Sequence, residues 1–324
     1  MSKVNSDCLN AENSPDQCAS IGQRDTPVGL IAGWGRFPVQ VAERIKSEGN
    51  QVVVVAITGH ASSDLNDICD EVLWSGVGKL GRHIKFFREH HADKVTMAGK
   101  LFKADLLYKG SVWFRHLPDL TCIRTLAPCL LGSKRDARDD QLLSAISAAY
   151  RKFGMEIFPA TDIAPELLVG AGHLAGPKVN PTHRRDAECG WQIAKTMGGL
   201  DIGQSVTIKD GIVIAVEAIE GTDACIQRTG ELCKQGGWTL VKVSKPEQDM
   251  RFDVPTIGPQ TVEQVSQAGG KTIVIEANKT IVVDQDTTYR LADRLGITIA
   301  SLNQPQSNQS DQSNQSSMAK PAAA

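Results

Sequence analysis

At 324 residues the chain exceeds one typical domain, and 41% apolar with 22% charged residues suits a globular protein with two cores. Its 35 basic and 37 acidic residues leave a formal charge of -2, so no overall field draws it onto nucleic acid, and any anion site must be local. The eight cysteines show no CxxC and no metal-type spacing with histidine, which argues against a disulfide framework and for a reducing cytoplasm.

The polar, acidic start MSKVNSDCLNAENSPDQ lacks the basic and apolar regions of a secretion signal. The longest apolar run, 52–57, is far shorter than the roughly twenty residues of a membrane span. The expectation is a soluble protein that at most rests on a membrane surface. Residues 1–26 lack apolar periodicity and 303–324 are low-complexity, so both are expected to be disordered.

Between the tails the pattern alternates strand and helix. VGLIA (28–32) leads through GWGRFP into an amphipathic stretch ending at Ser47, and QVVVVAI (51–57) follows. Strands at 71–74, 94–98 and 155–158 alternate with helices over 79–91 and 136–153, which predicts a mostly parallel, Rossmann-like domain over 27–160. Pro, Gly and Lys then mark 161–183 as a linker or long ordered loop. A helix over 183–197 opens a mixed α/β domain spanning 184–302. Strands at 206–209 and 212–218 are joined by Asp210-Gly211, a hairpin signal, and a helix starts at Thr222. Further strands are expected at 240–244, 272–276 and 280–284. The fold class is therefore α/β, with a parallel N-terminal domain and a mixed C-terminal one.

Three segments could carry chemistry. Gly33 and Gly35, between strand and helix, place backbone amides where a phosphate or sugar could bind. Pro38 replaces the third glycine of a dinucleotide fingerprint and no acidic residue closes the second strand, so a nicotinamide oxidoreductase is poorly supported. The plain alternative is a tight turn.

In VEAIEGTDA, Gly221 turns the chain, Thr222 can cap a helix, and Glu217, Glu220 and Asp223 lie around the corner. Carboxylates repel a diphosphate unless a hard cation lies between them, and magnesium commonly uses one or two carboxylates plus phosphate oxygens. Glu217, Glu220 and Asp223 are thus candidate metal ligands, with helix-dipole complementation and simple solvation as the competing structural reading.

In KPEQDMRFDVPTIG, Lys245 and Arg251 could neutralise phosphate charge, Asp253 is a fourth candidate metal-ligating carboxylate, and Thr256 could cap the next helix. A charged surface loop stiffened by prolines is the alternative. Asp140, in an acidic helix start, is the best functional candidate of its segment, although helix-end complementation explains most of its neighbours. The seven histidines show neither metal nor triad spacing.

Together LIAGWGRFP, MAGK, LDIGQSV, VEAIEGTDA, KPEQDMRFDVPTIG and VVD resemble, in that order, the LpxI family of UDP-2,3-diacylglucosamine pyrophosphatases, over about residues 28–301. The resemblance implies a Mg2+-dependent (or Mn2+-dependent) hydrolase of lipid A synthesis that releases UMP and 2,3-diacylglucosamine 1-phosphate. It implies Asp223 as the essential aspartate, either metal-binding or water-activating, and adds Lys100, Gln204, Gln248 and Pro255 to the substrate-binding set. It further implies a cytoplasmic homodimer that can touch the inner membrane, its acyl chains between the domains. Trp34, Lys103 and Cys225 depart from the usual pattern, with acyl-chain preference the property most exposed. A non-catalytic binder of nucleotide-sugar lipids is the alternative from another class.

Overall fold

The computed structural model describes residues 26–100, 116–131, 139–246, 248–252 and 254–304, except for the side chains of 130, 131 and 139–141. The expected Asp253 and Lys103 lie outside them, as do both tails up to residue 25 and from residue 305.

The first half runs β1 (Val28–Ala32), α1 (Phe37–Ser47), β2 (Val52–Ile57), α2 (Leu65–Ile68), β3 (Glu71–Ser75), α3 (Leu80–Glu89) and β4 (Lys94–Ala98). It continues with α4 (Leu120–Leu131), α5 (Asp139–Lys152), β5 (Glu156–Phe158) and α6 (Ala160–Ile163). All five strands are parallel, in the order β3-β2-β1-β4-β5. Strand order therefore reverses between β1 and β4, the position at which open α/β sheets generally bind ligands.

Strand periodicity of two divides β2 cleanly. Val52, Val54 and Ala56 join α1 residues Val39, Val41, Ala42 and Ile45 in one core. Val53, Val55 and Ile57 join Leu80, Ile84 and Phe87 of α3, with Cys122 and Tyr150 from α4 and α5, in the other. A strand buried on both faces cannot carry polar residues, which is why VVVVAI lacks alternation. Each such buried aliphatic side chain contributes about 1.5–3 kcal/mol relative to exposure.

The second half runs β6 (Gly172–Ala175), α7 (Pro181–Gly199), β7 (Ser205–Lys209), β8 (Ile212–Val216), α8 (Thr222–Leu232), β9 (Thr239–Lys242) and β10 (Thr256–Ile257). It ends with α9 (Pro259–Gln267), β11 (Thr272–Glu276), β12 (Ile281–Val282), α10 (Gln285–Leu295) and β13 (Thr298–Leu302). The six-stranded sheet has the order β6-β13-β11-β9-β7-β8, with β9, β11 and β13 parallel and β6 and β7 antiparallel to their neighbours. α7 covers one face through Ala187, Trp191 and Ala194, while α8, α9 and α10 cover the other.

The local signals act as chemistry requires. Asp210 and Gly211 both have positive φ, 50° and 77°, and the Asp186 carboxylate accepts from both of their amides. Asn180 caps α7 by accepting from the His183 amide at 2.8 Å, and Pro181 occupies the first turn, so the helix starts two residues before its apolar pattern does.

Three sequence expectations change. The stretch 161–183 contains β6, which becomes the edge of the second sheet by pairing with β13, a partner more than a hundred residues away. The expected strand over 280–284 shortens to β12, which pairs with β10 in a separate two-stranded sheet. The Leu168–Ile281 bridge and the packing of Ile281 and Val283 in the first-half core tie β12 to the N-terminal half. Helix α4 was not anticipated, since Pro128 inside it masks the helical pattern.

His83 on α3 is buried, with Nε2 3.1 Å from Ser75 Oγ and from the Gly76 carbonyl. Burial drives its pKa from 6.5 to about 4. The unfolded chain takes up this proton at higher pH than the folded one, so stability is lost as pH falls from about 6.5 to about 4, by about 3 kcal/mol across the window. His83→Gln is expected to flatten the urea-midpoint profile between pH 6.5 and 5; parallel profiles for the two proteins would refute this origin.

Candidate functional site

The two sheets bring their carboxyl ends together. At the end of the first, the turns after β1 and β4 lock onto each other: Trp34 N donates to Lys100 O at 2.8 Å and Lys100 N to Trp34 O at 3.1 Å. A β-carbon at Gly33 would sit 2.9 Å from the Lys100 carbonyl oxygen, so the close approach requires glycine there. Gly35, at φ 103°, turns the chain into α1, whose first turn has no side-chain cap. Lys100 then projects from the switch point of the first sheet toward the second: a β-carbon on Gly221 would lie 2.9 Å from its Nζ.

Gly221, with φ 84°, is the N-cap residue of α8 and supplies no side-chain cap, so the first-turn amides depend on other acceptors. Thr222 is the first helical residue rather than the cap expected from sequence. Its hydroxyl points inward, donating to Glu217 Oε1 at 2.9 Å and accepting from Lys242 Nζ at 3.1 Å. Any contact from Thr222 to a ligand therefore falls to its backbone. Asp223 follows in the first turn, half-buried, and its carboxylate has no hydrogen bond or ion pair among the described residues. Helix dipole and free amides favour an anion or a cation-bridged anion at this corner.

The β7–β9 pairing adds further groups to the same edge. Ser205, the first residue of β7, stands opposite Lys242, the last of β9, and Glu217 N donates to Ser205 O at 2.9 Å. Gln204 precedes Ser205, with its Oε1 buried and unpartnered among the described residues. A β-carbon on Gly203 would lie 2.1 Å from the Glu217 carbonyl oxygen, so a glycine is needed where the strand exits converge. Lys245 follows β9 and pairs with Asp201, while its amide donates to Gln248 Oε1 at 2.8 Å. Thus Gly33, Lys100, Gln204, Glu217, Gly221, Lys245 and Gln248 lie on segments flanking these strands, and Thr222 and Asp223 in the helix turn that follows Gly221.

Other expected residues behave differently. Glu220 pairs with Arg228 at 2.9 Å. Arg251 is held by Asp249 at 2.6 Å, a bidentate pair that commits its guanidinium and keeps the Asp249 carboxyl below its usual range. Thr256 does not cap α9; it lies in β10, its hydroxyl on the Val254 carbonyl, and Gly258 is the N-cap. Pro255 accepts from Ile281 N at 2.8 Å and so fixes the β10–β12 register. Asp140 lies in the first turn of α5, with its side chain outside the described set.

Among the described residues no three His, Cys, Asp or Glu side chains form a metal-binding group. Glu217 nonetheless suits a cation-bridged phosphate in one respect. It is 7% exposed, and its Oε2 is buried with no donor among the described residues. With Asp223 it gives two acceptor carboxylates, the number magnesium commonly takes when phosphate and water complete its shell.

Sequence reasoning missed two groups. Lys242 is buried in the middle of the sheet, hidden in an apolar strand pattern as LVKVS. Glu276, 3% exposed, collects Lys195 Nζ at 2.6 Å and the Ser244 amide and hydroxyl at 2.8 Å each. Charged residues placed last in apolar strands were the available signal for both.

These elements define an α/β protein in which the carboxyl end of a parallel, Rossmann-like sheet approaches the Gly221 corner of a mixed sheet. The chain belongs to the LpxI family: the profile of the LpxI N-terminal domain matches residues 27–167 and that of the LpxI C-terminal domain residues 170–300. It is 30% identical over 283 residues to the UDP-2,3-diacylglucosamine pyrophosphatase LpxI of Caulobacter vibrioides, covering 85% of this chain and 97% of that protein.

Proposed function

We propose that the chain hydrolyses the diphosphate of UDP-2,3-diacylglucosamine to UMP and 2,3-diacylglucosamine 1-phosphate, with Mg2+ or Mn2+ at Asp223 and Glu217. The observation that carries this reading is the approach of the Lys100 ammonium to the Gly221 corner, two residues before Asp223, whose carboxylate has no partner among the described residues. The name of the Caulobacter relative supports the substrate.

In this reading a diphosphate lies across the corner, its charge met by Lys100 and by the amides of the first turn of α8. The metal, when bound, supplies Lewis-acid polarisation of a phosphoryl oxygen and a more acidic water. Asp223 orients the attacking water or the cation; Glu217 is held in place by the Thr222 hydroxyl. Among the described residues no helix is long and apolar enough to cross a membrane. Leu120 and Ile123 on α4, 60% and 50% exposed, give the N-terminal domain an apolar surface that supports peripheral contact with a lipid-bearing inner membrane from the cytoplasm. A homodimer belongs to the same proposal.

Incubation with UDP-2,3-diacylglucosamine and Mg2+ in oxygen-18 water tests it. The expected products are UMP and the sugar-lipid phosphate, with one labelled oxygen between them and no turnover in chelator. Tight binding without UMP would instead establish a non-catalytic binder.

A further inference from the structure

Lys242 is the charged residue that best explains how the site keeps its shape. Its side chain rises from the last position of β9, between β7 and β11 at the centre of the sheet. The ammonium donates to Thr222 Oγ1 at 3.1 Å and to the Thr256 carbonyl at 2.9 Å. These two acceptors belong to separate segments: Thr222 opens α8 beside Asp223, whereas Thr256 ends the loop that carries Lys245 and Gln248. Thr222 passes the contact on by donating to Glu217 Oε1.

We propose that Lys242 is a positioning residue that clamps the Gly221–Asp223 corner to the end of the 245–256 loop, fixing Asp223 against the phosphate-binding groups. The proposal rests on the diphosphatase reading for its catalytic consequence but not for the clamp itself. Two physical points support it. An ammonium 8% exposed is costly to desolvate unless it is well bonded, so a lysine there in place of a leucine needs a compensating role. Among its partners are a hydroxyl and a carbonyl from two different turns, so removing it releases both at once. The Thr222 hydroxyl has its proton directed to Glu217, and the lone pair facing Lys242 makes the chain Glu217, Thr222, Lys242, Thr256 continuous across the site.

The test combines turnover and amide exchange. Lys242→Met, close in length but neutral, is expected to lower kcat by about 100-fold with KM changed little, because a misplaced reacting group costs rate more than binding. Thr222→Val is expected to do the same, and the double variant to lose no more than the worse single one. Thr222→Ser restores a hydroxyl and is expected to recover at least about tenfold over Thr222→Val. In the substrate-free protein, amide exchange should quicken together at Cys225 and at Ile257 in Lys242→Met. Losses in the double variant that multiply, or wild-type kcat in either single variant, overturn the positioning role. If Lys242→Met does not fold, the Thr222→Val and Thr222→Ser pair decides. If the wild-type protein releases no UMP, the diphosphatase reading fails, and the exchange experiment still decides the clamp: unchanged exchange at either segment overturns it.

Discussion

Asp223→Asn is expected to lower UMP release by about a thousandfold or more, because it removes the charge of the half-buried carboxylate that, together with Glu217, would hold a cation or water against the diphosphate. Its effect on folding should be small. The Asp223 carboxylate has no hydrogen bond or ion pair among the described residues, and its interaction with the α8 dipole is worth about 0.3–1 kcal/mol. Thermal unfolding within a few degrees of wild type, with turnover gone, is the expected pair of results. Turnover within about tenfold of wild type would remove Asp223 from the chemistry. Asp223→Glu, which moves the same charge by one methylene, is expected to recover only part of the rate, since the site is sensitive to ångström-scale displacement.

The second large effect is on stability. Glu276 sits at the end of β11 with one oxygen shared by Lys195 and by the Ser244 amide and hydroxyl, and the other 3.2 Å from Lys279. Burial raises its pKa, but Lys195 and Ser244 outweigh this and leave it below the usual 4.5. Glu276→Ala takes the counter-ion from Lys195, whose side chain is only 15% exposed and keeps the Ser244 carbonyl and hydroxyl as acceptors, and it removes the acceptor of the Ser244 amide, so a loss of about 3 kcal/mol in urea unfolding at pH 7 is expected. Because the folded-state pKa is depressed, the contribution is present above about pH 4.5 and fades as pH falls through the folded value. The difference between wild type and Glu276→Ala should therefore shrink in acid. A difference below about 1 kcal/mol at pH 7, or one that grows in acid, would show that the network contributes little. Ser244 leads directly into Lys245, so the variant should also loosen the loop that Lys242 secures at its far end.

These two carboxylates show where sequence patterns stop. Asp223 stands out in the sequence because a glycine turn, a threonine and an acid at a helix start are local signals whose physics acts within a few residues. Glu276 does not stand out, since its partners lie at Lys195 and Ser244, 81 and 32 residues away. The same distinction explains Glu220 and Arg251. Both belong to charged motifs suited to phosphate chemistry, yet their nearest counter-ions, Arg228 and Asp249, take them. Competition among neighbouring side chains is settled by rotamer geometry, which spacing does not specify.

The sequence by itself determined the strand and helix alternation, the apolar run of β2, the Asp210-Gly211 hairpin and the family, because each depends on periodicity, turn chemistry or motif order along the chain. Tertiary structure alone decided that β6 edges the second sheet, that β12 leaves it for β10, that the Lys100 ammonium reaches Gly221, and that Lys242 joins Thr222 to Thr256. Those contacts join segments whose separation along the chain carries no local signal, and they form only once the sheets are assembled, the Lys100–Gly221 approach only where the two sheets meet.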